Sequence, residues 1–304
     1  MMVSTRGSLL GMLQWQQHSV VLFAASAGLV IALREVLGWH WLRIPTTPVA
    51  IVGGALGIFV SFRTNAAYAR WWEGRQLWGR LINVSRMFCS QVLAYLPRAE
   101  DGAPSALQRR LIERHVLYVH VLRCLLRDQV PWTDEDVVRF SDAATREALK
   151  SETNATHALL DRQLAELARE ADAGRLAPLR MDALDRSIGG LLDVQGGCER
   201  IKRTPMPRGY GYFAEQLIRA FGLLFPMAIA EDLWVLSIPI NVLVCLAFMM
   251  ISEVGRVLED PFTLFWNALP LSALTRTIES NLRQRLGDED IRPMLRPDAN
   301  GVLM

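Results

Sequence analysis

Apolar residues in this chain gather into four stretches: Ser19–Leu33, Ile44–Phe62, Leu217–Ala230 and Leu233–Ser252. None has the regular polar interruptions of a half-buried helix or strand. Helices that cross the hydrocarbon core of a bilayer need roughly 17–25 residues. Ile44–Phe62, rich in small residues at Gly53, Gly54, Ala55 and Gly57, and Leu233–Ser252, interrupted only by Pro239 and Asn241, have that length. Ser19–Leu33 is shorter, with Leu9–Leu13 read as its interfacial extension, and Leu217–Ala230 contains Arg219 and Pro226. Helix is the predicted state of all four, because a lone strand in lipid leaves its backbone polar groups unpaired.

The second stretch runs with no proline into Phe62–Leu81, where Arg63, Arg70, Arg75 and Arg80 alternate with Trp71, Trp72 and Trp78. Arginine and tryptophan suit a helix leaving lipid for water, since each joins an apolar body to a polar end. Helical texture continues through Leu107–Asp128, Asp134–Arg169 and Met181–Lys202. Pro131-Trp132-Thr133-Asp134 reads as a helix start with Thr133 as N-cap. Thr204-Pro205-Met206-Pro207 ends the block, and the tail from Gly287, with Pro293 and Pro297, is expected to be extended or mobile. No stretch of useful length alternates with period two.

The pattern therefore predicts an all-α membrane protein. Residues 1–62 hold membrane helices one and two, 63–216 a helical cytosolic region, 217–252 membrane helices three and four, and 253–304 a cytosolic helix and tail. Composition agrees: 51% of residues are apolar and 21% charged, with a mean hydropathy of +0.18. A net charge of +2 points to no nucleic-acid partner. The four cysteines are scattered without a CxxC pair and read as buried hydrophobes. The first apolar run lacks a strong basic flank and a clear cleavage site, so it is read as a retained membrane helix. Basic residues flank the central block at Arg63, Arg70 and Arg75 and at Arg200, Lys202, Arg203 and Arg208, whereas Glu231-Asp232 links the last two stretches. That bias predicts cytoplasmic N- and C-termini, although Arg34 and Arg43 in the first hairpin count against it.

Enzyme signatures are missing: no phosphate-binding loop, no dinucleotide GxGxxG, no HExxH and no GxSxG elbow. His115 and His120 are five apart, off the spacing that puts two imidazoles on one helix face. They read as satisfied surface or interface groups, and the acidic pairs of the central block as solvated helix faces. No metal, cofactor or catalytic residue is expected.

One stripe stands out. Gly54, Ile58 and Phe62 lie at i, i+4 and i+8 on one helix face, with Ile51 and Ala55 beside them. Several copies of such a stripe would form an apolar constriction that blocks ions by dewetting. Helix packing or lipid contact would use the same pattern, and both readings stay open here. Arg70 and Glu73 can pair at i, i+3.

Three motifs carry a resemblance. Phe62-Arg63-Thr64-Asn65-Ala66-Ala67-Tyr68-Ala69-Arg70-Trp71-Trp72-Glu73-Gly74 resembles the signature of bacterial bestrophin-like membrane proteins. Gly197-Cys198-Glu199-Arg200-Ile201 before Thr204-Pro205-Met206-Pro207 matches a second element, and Glu259-Asp260-Pro261-Phe262 with Leu269-Pro270-Leu271 and Arg276–Leu282 a third. The motifs occur in family order over nearly the full chain. The resemblance implies a homopentameric channel for small monovalent ions in a bacterial inner membrane, surrounded by lipid. It implies a pore neck at Gly54, Ile58 and Phe62, where Gly54 departs from the bulky residue usual in the family. It implies a second constriction before the Gly197 helix, with Leu176, Leu179 and Met181 as candidates. Arg63 and Arg70 are expected to hold the junction past the neck by packing and pairing. Animal relatives are calcium-activated anion channels whose clasp is an acidic run after Pro-Phe. Here Pro261-Phe262 is followed by Thr-Leu-Phe-Trp-Asn-Ala, with no carboxylate, so calcium gating of that type is not expected. Bacterial relatives can favour cations, which leaves the sign of the ion open. A membrane scaffold or sensor that binds a partner through its helical region is the alternative.

Overall fold

A computed structural model describes residues 15–298 and 301–303, apart from the side chains of Arg208 and Tyr210. The Leu9–Leu13 extension lies outside the described residues. The helices are α1 (Gln17–Leu37), α2 (Thr46–Tyr95), α3 (Ala106–Leu126), α4 (Glu135–Arg139), α5 (Ala143–Lys150), α6 (Ala155–Asp172), α7 (Pro178–Arg203), α8 (Arg208–Leu233), α9 (Ser237–Leu258) and α10 (Leu271–Leu286), and no β-strand occurs among the described residues. The described residues divide into two compact units, 15–71 with Pro205–Glu259, and Trp72–Thr204 with the residues from Asp260 onward.

The first unit is the apolar one. Phe23 of α1, Leu56 and Val60 of α2, Ile218 and Phe221 of α8, and Cys245 and Met249 of α9 form its core. Close approach is set by glycine: a Cβ on Gly222 would lie 2.4 Å from the Phe23 ring and 3.0 Å from Cys245 Sγ. Beside it, the Asn241 amide donates to the carbonyls of Phe23 (2.8 Å) and Gly222 (3.1 Å) and to Ser26 Oγ (3.2 Å). Small residues and buried amides of this kind join helices where no hydrophobic drive exists between them. Three stretches are long and apolar enough to cross a membrane: Gln17–Leu37, Thr46–Tyr95 and Gly211–Leu258. The last folds back on itself at Trp234, whose φ is +46°, so that α8 and α9 lie side by side.

Several expectations change here. The first apolar run extends to 21 residues because Arg34, outside the expected span, is buried and donates to Leu42 O at 3.2 Å, with Glu231 3.8 Å away. Glu231 and Asp232 do not form the link between the last two stretches. They end α8, and the turn is Trp234–Leu236. Arg219 is carried within α8 by Glu215, one turn away at 3.6 Å.

The second unit is built round α3, which is buried on nearly every face. Its run from His115 to Cys124 is buried at every position, which places that part of the helix at the centre of the unit. Ser105 caps it in a reciprocal box with Gln108. The charged stretch after it breaks into α4, α5 and α6. Thr133 is not the N-cap: it belongs to the preceding 3-10 turn, and Asp134 caps α4 by accepting from the amides of Asp136 (3.1 Å) and Val137 (3.3 Å). A carboxylate reaching two orphan amides outcompetes a hydroxyl. Residues 288–298 carry no helix and begin tied down, with Asp288 between Arg109 (2.8 Å) and Arg283 (2.8 Å).

Candidate functional site

Helix α2 runs 50 residues without a break. Its inward positions recur at helical spacing, with Leu56, Val60, Arg63 and Ala67 all buried within the first unit. The opposite face is uncovered: Ile58 keeps 61% of its surface and Phe62 66%, and Ile51 and Gly54 are exposed on the same side. An open groove follows this face, lined by Gly54, Gly57, Ile58, Ser61, Phe62 and Asn65. Among the described residues, nothing outside its own turn of helix lies within 4 Å of a Cβ built on Gly54.

Behind the stripe, Arg63 is buried in the first unit. Its guanidinium donates to Ser252 Oγ at 2.8 Å and to Glu259 Oε1 at 2.7 Å. Gly211 makes room for it, since a Cβ there would lie 2.7 Å from Arg63 Nη2. Arg70 Nε donates to the Glu259 carbonyl at 2.8 Å. Thr64 Oγ1 bonds Val60 O (3.0 Å) and Ile251 O (3.1 Å), and Gly255 is the small residue facing it. One end of α9 is thereby fastened to α2 just past Phe62. Glu259 was legible as part of a motif but not as the acceptor for Arg63. The signal was there in principle: Ser252 and Glu259 are seven apart on one face of a helix, opposite an arginine that must be neutralised.

Trp71 stacks on Tyr68 at 6.0 Å in the first unit, and the motif residues from Trp72 to Gly74, Gly197 to Thr204 and Asp260 onward lie in the second. Trp72 is exposed and Trp78 fully buried. Glu73 pairs with Arg200. Asp260 accepts from Lys202 at 2.9 Å and caps the amide of Phe262 at 3.0 Å. Pro261 and Phe262 pack on Gly74, where a Cβ would meet them at 3.1 and 3.3 Å. Gly197 does the same for α7, with Leu77 at 2.8 Å from its notional Cβ. Of the three constriction candidates, Leu176 is buried, Met181 half-buried, and Leu179, in the first turn of α7, 85% exposed.

His115, His120 and the central-block acids Asp136 and Glu166 depart from expectation, because all four are buried. His115 is fully buried and bonded to Ser85 Oγ at 2.9 Å. Burial pushes its imidazole down to about 3, so it stays neutral. His120 is buried too, with Nε2 3.1 Å from Glu279 Oε2 and Nδ1 3.4 Å from Asp136 Oδ2. Burial raises the Glu279 carboxyl, but the hydrogen bond and charge of His120 and the Arg292 guanidinium reverse this and hold it at about 2. The histidines are not surface groups, because the α3 positions that carry them face the centre of the unit, and Asp136 and Glu279 are buried against His120. His120, Asp136 and Glu279 offer ligand atoms within 4.8 Å of one another. They do not suit a resident cation. Arg292 bonds both carboxylates and Arg276 Nε lies 3.4 Å from Glu279, so guanidinium groups already supply the positive charge a metal would bring.

Comparison with known proteins agrees with this architecture. Residues 1–284 match the family described as Bacterial/Fungal Bestrophin protein. The voltage-dependent anion channel-forming protein YneE of Salmonella typhi is 32% identical over 274 residues, covering 89% of this chain and 87% of that protein. The voltage-dependent anion channel-forming protein RSc3414 of Ralstonia nicotianae is 32% identical over 83% of this chain and 82% of its own length. A crystal structure of a bacterial bestrophin homolog from Klebsiella pneumoniae superposes with a TM-score of 0.82 at 28% identity, over 90% of this chain and 99% of that one. The fold and its apolar helices define a helical membrane protein. The chain belongs to the bacterial/fungal bestrophin family.

Proposed function

We propose that this chain is one subunit of a homopentameric channel that passes small monovalent anions passively across a bacterial inner membrane, with no enzymatic step. The observation that carries the reading is the uncovered α2 face with Ile58 and Phe62. Packing within the chain does not account for it, because both side chains are mostly exposed. Lipid contact suits it poorly, because Ser61 and Asn65 line the same groove and polar side chains facing hydrocarbon are costly. A narrow water path formed by copies of α2 suits both kinds of side chain. Ile58 and Phe62 then form rings that exclude water when the neck is tight, and Gly54 leaves the first ring position open. The anion preference rests on the names of the relatives.

In this reading α1, the first part of α2, α8 and α9 cross the membrane, and the basic flanks keep both termini in the cytoplasm. Leu179, uncovered at the start of α7, is the best candidate for the second constriction. The test is current through purified protein in planar bilayers under a chloride gradient, with protomer number from native mass spectrometry. A reversal potential near that of chloride and a fivefold mass support the channel. No current from the natural protein and none from an Ile58→Ala, Phe62→Ala variant would leave a scaffold or sensor as the reading.

A further inference from the structure

The groove along α2 holds two polar side chains that the apolar rings do not explain. Asn65 is three positions after Phe62 on the same face, and Ser61 lies between Ile58 and Asn65. Both are exposed, and among the described residues neither has a hydrogen-bond partner within the chain. That is informative for Ser61. A helical hydroxyl can satisfy itself on the carbonyl one turn back, as Ser85 does on Leu81 O (2.7 Å) and Thr64 on Val60 O (3.0 Å), and Ser61 does not. The unused hydroxyl and carboxamide therefore present free donors to the groove, immediately beside the side chains that strip water from an ion.

We propose that Asn65, assisted by Ser61, is a polar collar that hydrogen-bonds a dehydrating inorganic anion as it clears the apolar rings, and so sets the channel's preference among ions. This rests on the pore reading above. An anion pushed past Ile58 and Phe62 loses part of its hydration shell and needs N–H or O–H donors in return. A carboxamide offers two N–H donors and a hydroxyl one. Neither is charged, so the collar replaces water without trapping the ion, which conduction requires. A ring of carboxylates at this level would repel anions strongly, because few waters remain to screen them.

The test is a set of Asn65 variants in reconstituted protein, read by reversal potential and by conductance. Asn65→Asp should lower the chloride-to-sodium permeability ratio by about tenfold or more, and Asn65→Leu should cut chloride conductance severalfold. Asn65→Gln, which keeps the donors, should stay near the natural protein. Should Asn65→Asp abolish current altogether, Asn65→Cys provides the same charge change on assembled protein, because the four natural cysteines are all buried. A sulfonate-bearing methanethiosulfonate should then reduce chloride preference and a trimethylammonium-bearing one should increase it. Unchanged permeability ratios in a conducting Asn65→Asp protein, or indifference of a conducting Asn65→Cys protein to both reagents, overturn the collar and leave the channel standing. Absence of current even from the Ile58→Ala, Phe62→Ala protein overturns both.

Discussion

Arg63 and Glu259 meet at 2.7 Å, 196 residues apart in sequence, and the guanidinium is buried while the carboxylate keeps 30% of its side-chain surface. Removing the carboxylate leaves a buried cation with Ser252 as its one remaining partner among the described residues. Glu259→Ala is expected to cost about 3 kcal/mol, the low end for breaking a buried pair, because Glu259 is partly wet. The measurement is thermal unfolding in detergent by tryptophan fluorescence. In the Arg63→Ala, Glu259→Ala double variant the two losses should fall short of their sum. Strict additivity would mean that the pair is not coupled.

Gly54 has open space in front of it, so a larger side chain fits without disturbing its own chain. Gly54→Ile is expected to add an apolar ring and reduce single-channel conductance, while Ile58→Ala and Phe62→Ala raise the open fraction. All three should keep the natural stability to within about 0.5 kcal/mol, as uncovered positions usually do. A Gly54→Ile protein that conducts like the natural one would remove position 54 from the neck.

Gly222 is the opposite case. A methyl group there would collide with Phe23 and crowd Cys245. Gly222→Ala should destabilise by about 1–3 kcal/mol through overpacking. Gly28→Ala, with nothing within 4 Å, is the matched control and should be neutral or slightly stabilising through helix propensity. Unfolding of both variants in the same detergent decides between packing and a general effect of alanine.

Stability should fall with acid in two overlapping windows. His115 is held neutral with a folded value of about 3, below its unfolded value of about 6.5. Its contribution is complete above pH ~6.5 and is lost as pH falls toward 3. Glu279 is held at about 2, against about 4.3 unfolded, so its contribution is complete above the unfolded value and is lost as pH falls through 2. Each group adds up to about 1.4 kcal/mol per pH unit within its window. His115→Leu should flatten the slope between pH 6 and 4, and Glu279→Gln the slope below 4, in unfolding titrations monitored by near-UV circular dichroism. A His115→Leu protein with an unchanged slope would show that the histidine is not the proton acceptor.

Much of the architecture is written in local pattern. Ile44–Phe62 and the arginine and tryptophan run after it predict one unbroken helix, and α2 is one, because Pro48 falls in its first turn, where no backbone hydrogen bond is lost, and no proline follows. That Gly54, Ile58 and Phe62 share one face follows from their spacing on that helix, whereas that the face is left uncovered is set by how the other helices pack. Thr133 was misread because hydroxyl and carboxylate caps differ by a single position, a distance local patterns do not resolve.

What the sequence determined by itself was therefore helix, apolarity and periodicity, all properties of neighbouring residues. The tertiary structure decided what sequence spacing cannot encode: which carboxylate neutralises Arg63, that His115 and His120 lie in a protein interior, and that α1 extends through Arg34 because Leu42 and Glu231 receive it. Each of these depends on a partner brought near by folding, and the energy of a buried charge or imidazole is set by that partner and by the surrounding burial.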